Sequence, residues 1–255
     1  MTAALSFFPL ANFPLVEPGD DLAGLICDSL AANGMTPAAG DCLVLAQKIV
    51  SKSEGRYVRL AEVEPGPDAR SLAVEAEKDP RLVELILSES REVVRVRPGV
   101  IIVEHRNGYV LANAGIDRSN IPGDAADPHV LLLPEDADQS AAELRKALET
   151  HLGFAIPVLI NDSVGRAWRN GTVGMAIGCA GLKPLNNQVG EQDLFGNVLE
   201  VTEPAIADEL AAAASLVMGQ AAEGCPAVLV RGFHFAAEGV DSRALLRDRR
   251  QDMFR

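Results

Sequence analysis

The sequence predicts an α+β fold, with helices and strands mixed rather than regularly alternating. Three observations carry this. Helical periods and apolar, β-branched runs follow one another without βαβα order. An Asn-Gly dipeptide at Asn107-Gly108 lies between two apolar runs, which is a strong hairpin signal and points to antiparallel pairing. Neither GxGxxG nor GxxxxGK[ST] occurs, so a Rossmann or P-loop phosphate turn is absent, and the irregular element order does not fit a TIM barrel.

The elements follow from local chemistry. Pro18-Gly19-Asp20-Asp21 makes a turn with a helix cap, and Leu22–Ala32 keeps helical spacing up to Asn33-Gly34. Residues 42–50 are apolar and partly β-branched, a single buried strand running into Ser51-Lys52-Ser53-Glu54-Gly55-Arg56. Residues 69–79 and 81–91 read as helices. Residues 100–104 and 109–113 read as strands around the Asn-Gly turn, and the second ends in a polar, turn-rich stretch to Asn120. A short strand over 130–133 precedes an amphipathic helix over 139–152. Residues 155–160 form another apolar strand that ends at Asn161-Asp162-Ser163. A glycine-studded segment (165–181), a charged loop (186–197), an alanine-rich helix (205–218), a strand (226–230) and a densely charged end complete the chain. The whole reads as one module of two intertwined parts, with the shift near 133–139 as the boundary.

Composition narrows the function. The chain has 255 residues, 48% hydrophobic and 23% charged, an ordinary globular balance with room for a sizeable core. A net charge of -13 argues against binding nucleic acid or anionic membranes in bulk. An anionic ligand then needs a locally positive pocket built from selected cations, backbone amides or a metal ion. The cysteines Cys27, Cys42, Cys179 and Cys225 are scattered and read as free thiols of a reducing compartment. With the histidines equally dispersed, a zinc site is disfavoured. No basic leader and no apolar run near the ~18 residues of a membrane span is present, so the cytoplasm is the expected address.

Polar clusters follow three strands. Lys52 and Arg56 come after the first; a lysine there reaches a phosphate, or is an exposed turn cation. Asp117 with Asn120 and Asp162 with Ser163 follow the next two. Paired carboxylates and a hydroxyl suit Mg²⁺ or Mn²⁺, although aspartates also cap helices and shape turns. Arg166 and Arg169 flank the only tryptophan and are candidates to anchor substrate carboxylate or phosphate, or surface ion-pair residues. Glycines 174, 178 and 181 allow close backbone approach.

Taken together, FPLV at 13–16, PGDDLA at 18–23, VSKSEGR at 50–56, NAGIDRSN at 113–120, NDSVGRAWRNGTVGMAIGCAGLKPL at 161–185 and MGQAAEGCPAVLVRG at 218–232 resemble the coenzyme F420:gamma-glutamyl ligase family. The resemblance runs over residues 13–239. It implies an unusual two-part fold, a homodimer, and GTP-dependent addition of L-glutamate to the terminal carboxylate of coenzyme F420-0. A second glutamate then follows by a gamma linkage, each step passing through an acyl phosphate. It further implies two Mg²⁺ or Mn²⁺ sites and a K⁺ ion. Matched position by position, Asp117 and Asp162 would bind the first metal, and Ser163 and Gln220 the second; some members carry glutamate at the position of Gln220. The nucleotide would meet Phe13, Pro14, Leu15, Val16, Gln47, Lys48, Lys52 and Asn120. It would also meet the loop of Met218, Gly219, Gln220, Ala221, Ala222, Glu223, Gly224 and Cys225. Competing readings are a related ligase acting on another carboxylate, a metal-dependent phosphohydrolase, and a catalytically silent nucleotide-binding module.

Overall fold

The computed structural model describes residues 4–123, 127–234 and 240–254. Its centre is a five-stranded sheet in the order β1-β10-β2-β8-β9. The strands are β1 (Ser6–Pro9), β2 (Cys42–Ala46), β8 (Val158–Arg166), β9 (Arg169–Ala180) and β10 (Ala227–Arg231). Only β2 and β8 run parallel; every other neighbour is antiparallel. This mixed pairing is the α+β architecture that the irregular element order predicts.

Strand alternation divides the sheet between two apolar layers. Leu43, Leu45, Val158, Ile160 and Leu229 face helices α1 (Leu22–Ala32) and α5 (Ala137–Leu152), which contribute Ile26, Leu30, Ala141, Leu144 and Leu148. Cys42, Val44, Leu159, Val228 and Val230 face α6 (Ile206–Met218), which contributes Leu210, Ala211 and Ala214. Coverage on both faces explains why these strands read as continuous apolar runs.

Residues between β2 and α5 build two smaller sheets. One pairs β3 (Tyr57–Arg59) with β7 (His129–Leu131); the other joins β4 (Ser90–Arg97), β5 (Val100–His105) and β6 (Val110–Ala112). With α3 (Pro67–Ala76) and α4 (Pro80–Ser88) they enclose a third core of residues such as Leu60, Val83, Ile86, Ile101, Val103 and Leu132.

The structure corrects several expected boundaries. The apolar run 42–50 is not one strand: β2 ends at Ala46 and the chain turns at once into α2 (Gln47–Ser53). Both helices expected over 69–91 begin earlier, at prolines whose fixed φ suits the first helical turn. The second stops at Ser88, and the alternating sequence that follows is β4, with every second residue exposed. β8 does not end at Ile160 but carries Asn161, Asp162 and Ser163 within it, and the glycine-studded segment is its antiparallel partner β9. Two glycines there serve contact: a Cβ on Gly174 would collide with the Ala211 carbonyl of α6, and one on Gly178 with the Ala137 carbonyl of α5. The charged end forms two 3-10 turns, Ser242–Leu245 and Arg249–Gln251. All four cysteines are free. Among the described residues no helix is long and apolar enough to cross a membrane.

Candidate active site

β2 and β8 run side by side only as far as Ala46 and its partner Asn161. There β2 turns away into α2 while β8 continues to Arg166. The lost neighbour leaves a crevice at the carboxyl end of the parallel pair, a position where open sheets commonly hold ligands. The loop from α6 into β10 walls it from the other side, and the half-open cavity measures about 770 Å³.

Asp117 is placed by backbone conformation. Asn113, Ala114 and Gly115 all adopt left-handed φ (53°, 54° and 68°), which turns the chain sharply after β6. A Cβ on Gly115 would stand 2.7 Å from Leu133 Cδ1, so both the φ and the space require glycine. Asp117 then bridges Leu131, its N–H donating to the Leu131 carbonyl at 2.9 Å and its carbonyl accepting from the Leu131 N–H at 3.0 Å. This aims its carboxylate at α2, where Lys48 Nζ lies 2.6 Å and Gln47 Nε2 2.5 Å from Oδ2. Gln47 is 1% exposed, and its carbonyl oxygen accepts from Ser51 Oγ at 2.9 Å, which fixes the amide orientation.

Asp162 faces the same region from β8. Its carboxyl is pushed up to about 6, by burial first and then by the negative charge of Asp117; Lys48 and the Ser163 amide, at 2.8 Å, work against the rise. The Lys52 amine is lowered, chiefly by burial and next by the charge of Lys48, with Asp117 opposing. A half-buried carboxylate held above its normal range beside a second carboxylate lacks positive charge. A hard divalent ion would supply it, so the donor set fits such an ion. Among the described residues no three His, Cys, Asp or Glu side chains converge. Two metals here would therefore rest, one on the two carboxylates and one on the neutral oxygens of Ser163 and Gln220, each completed by oxygens of a ligand, a pattern that suits Mg²⁺.

The loop after α6 completes the wall. Ser163 Oγ donates to Gln220 Oε1 at 2.6 Å, and Asn120 Nδ2 donates to the Ala221 carbonyl at 2.8 Å. The Phe13 amide reaches the Gly224 carbonyl at 3.4 Å, which ties the N-terminal segment to the same loop. Phe13, Pro14, Leu15, Val16, Gln47, Lys48, Lys52, Asn120, Asp162, Ser163 and residues 218–225 all border this one cavity. Asp117 stands behind Gln47 and Lys48.

Arg166 and Arg169 are not brought there. They pair with each other at the β8–β9 hairpin tip, exposed, with Arg166 Nη1 donating to the Gly171 carbonyl at 3.3 Å. Neither arginine lines the cavity. Other walls went unread in the sequence: Glu17, Pro18, Tyr57, Ile121, Pro122 and Asn161. Asn161 adjoined a candidate ligand and was within reach of sequence reasoning; Tyr57 and Ile121 carry no local signal.

The model of the F420-0:Gamma-glutamyl ligase family matches residues 11–232. The chain belongs to this family. It is 47% identical to the coenzyme F420:L-glutamate ligase of Methanothermobacter thermautotrophicus, covering 98% of this chain and 99% of that protein. The ligase of the same name from Methanopyrus kandleri is 46% identical, over 94% of this chain and 93% of its own length. That from Methanocaldococcus jannaschii is 43% identical over 85% of both. The family match spans the residues that build the cavity, from Phe13 through Cys225.

Proposed function

We propose that this gamma-glutamyl ligase family member joins L-glutamate to the terminal carboxylate of coenzyme F420-0, using GTP, and then adds a second glutamate through a gamma linkage. The observation that carries the reading is the gathering of five separate sequence segments, each implied by the family resemblance to meet nucleotide or metal, around a single cavity. An amide cannot form from a bare carboxylate, whose oxygen is a poor leaving group, so activation comes first. A carboxylate oxygen of F420-0 attacks the γ-phosphorus of GTP, the bond to the GDP oxygen breaks, and an acyl phosphate forms. The glutamate amine then attacks the carbonyl carbon, a C–N bond replaces the C–O bond, phosphate departs, and the amine proton passes to solvent.

The residues of the chain divide this work. Asp117 and Asp162 would hold the first divalent ion, and Ser163 and Gln220 the second. Bound metal supplies neutralisation of charge on the transferring phosphoryl group. Lys48 and Lys52 bring positive charge to a wall that an acidic chain otherwise lacks. A K⁺ ion and a homodimeric assembly belong to the same reading.

Incubation with GTP, Mg²⁺ or Mn²⁺, F420-0 and L-glutamate tests it by product mass. The expected gain is one and then two glutamyl units, with one GDP per unit. Loss of GTP that proceeds equally without glutamate would make the chain a phosphohydrolase and end the proposal.

A further inference from the structure

The central sheet buries a polar side chain where its neighbours are apolar. Leu159 of β8 packs into the apolar layer under α6, and Asn161, two residues on, points the same way with 4% of its surface exposed. Its Nδ2 donates to Ser215 Oγ at 3.0 Å and lies 3.7 Å from Met218 Sδ. Its Oδ1 is buried and among the described residues has no hydrogen-bond partner. Gly174 leaves room for the contact: a Cβ there would stand 2.4 Å from Ser215 Oγ and 2.6 Å from Asn161 Oδ1. A buried acceptor left unpaired is a standing cost to the fold, which a leucine of similar size would avoid. The amide therefore calls for a reason other than packing.

The reason lies in what each end of the contact carries. Ser215 sits in the last turn of α6, and its carbonyl accepts from the Gly219 amide at 3.3 Å, closing the helix. Gln220 comes next. On the strand, Asp162 and Ser163 follow Asn161 directly, and Ser163 Oγ donates to Gln220 Oε1 at 2.6 Å. Strand and helix end are thus linked twice, by Asn161 to Ser215 and by Ser163 to Gln220. The second link joins the two oxygens read above as ligands of the second divalent ion, so it gives way when both turn to a metal. The first link uses neither oxygen and survives.

We propose that Asn161 is a positioning residue for the second divalent ion: through Ser215 it fixes the end of α6, and so holds Gln220 opposite Ser163 when the hydrogen bond between them opens. This rests on the two-metal reading of the cavity. Neutral oxygens bind a hard cation weakly, so their affinity depends on being held in place beforehand. The unpaired amide oxygen is stability given up for that placement.

Titration of the whole chain with Mn²⁺, at one GDP per chain and followed by electron paramagnetic resonance, tests this on the wild type, Asn161→Leu, Ser215→Ala and Ser163→Ala. Ser215 is not a cavity residue, so its variant breaks the contact without touching the site. In the wild type a second Mn²⁺ should bind and give a spin-coupled pair. Asn161→Leu and Ser215→Ala should each weaken that second ion by roughly 10- to 100-fold, with the affinity of the first ion unchanged. The melting temperature of metal-free Asn161→Leu should not fall. Equal weakening of both ions would make the contact merely structural and overturn the proposal. Wild-type affinity for the second ion in either variant would overturn it as well, since the link must act from both ends. A second ion that persists in Ser163→Ala, or is missing from the wild type, would instead refute the two-metal reading on which the proposal stands.

Discussion

Asp162 owes its character to what stands beside it. Strand alternation along β8 sends Asn161 to α6, where its Nδ2 donates to Ser215 Oγ at 3.0 Å, and turns the next side chain toward Asp117 and Lys48. Losing a group that merely orients a metal ligand lowers activity by about 10- to 100-fold, so losing a direct ligand should cost at least as much. Asp162→Asn should therefore reduce ligase turnover by about 100-fold or more and weaken Mn²⁺ binding measured by electron paramagnetic resonance, with an unchanged circular dichroism spectrum. Retained Mn²⁺ affinity would remove Asp162 from the metal set. Gly115 makes the complementary case, since its role is space and φ alone. Gly115→Ala should destabilise the fold by about 2 kcal/mol through strain and overpacking against Leu133, and also displace Asp117. A melting temperature within a degree of wild type would contradict that account.

At the scale of elements, a buried charge cluster joins the smaller sheets to the helix that carries Gln47, Lys48 and Lys52. Glu89, 5% exposed at the end of α4, meets Arg56 Nη2 at 3.0 Å, Arg106 Nη2 at 3.3 Å and His105 Nε2 at 3.6 Å. Arg56 follows α2 and also donates from Nε to the Leu133 carbonyl at 2.9 Å. Burial alone would raise the Glu89 carboxyl, but His105, Arg106 and Arg56 together outweigh it and hold the group below its ordinary value. A depressed carboxylate stabilises the fold above its unfolded value and loses that contribution as pH falls through the folded one. Glu89→Gln should thus cost about 2 kcal/mol near neutrality, discounted from a fully buried pair because both arginines are partly exposed. The gap to wild type should stay constant at neutral pH and shrink below roughly pH 4.5; a gap independent of pH down to 3 would rule the cluster out as its source. None of this cluster was legible in the sequence, because its members come from three separate stretches of the chain. Legibility failed in a similar way at the site. Residues 42–50 look like one strand because seven residues of α2 are too few to display a helical period, so the turn at Gln47 goes unseen. The glycines of β9 suggest a loop, although two of them exist to admit neighbouring backbone. Helices α1, α5 and α6, with long periods and clear ends, stood out at once. Asp117 and Asp162 drew attention only through motifs of a known family, because an isolated aspartate near a strand end is ordinary.

For the whole molecule, the proposed nucleotide reading requires the cavity to draw a polyanion onto a chain of net charge -13. The positive charge is local, on Lys48 and Lys52, and Lys48 is already engaged by Asp117 at 2.6 Å. A nucleotide arriving alone meets one paired lysine, one lysine whose charge burial weakens, and the Asp162 carboxylate, with Asp117 close behind Lys48. With a divalent ion held between those carboxylates, Lys48 is free to turn toward phosphate and the repulsion from Asp162 is removed. Nucleotide and metal should therefore bind with strong positive coupling, each raising the affinity of the other by the same factor. The cavity also ties together the N-terminal segment, α2, β8 and the loop leading into β10, so the ligand braces elements on both faces of the central sheet. A ligand that binds only the folded state at 100 times its dissociation constant stabilises it by about 2.7 kcal/mol, which for a chain of this size raises the melting temperature by roughly 5–10 °C. GDP with Mg²⁺ should give a shift of that order in differential scanning fluorimetry, GDP with chelator much less, and Mg²⁺ alone little. In Asp162→Asn the increment from adding Mg²⁺ to GDP should vanish while the small shift with GDP alone persists or grows. An equal shift with and without chelator would show that phosphate is held without metal, and would move the basis of nucleotide binding from the two aspartates to the lysines.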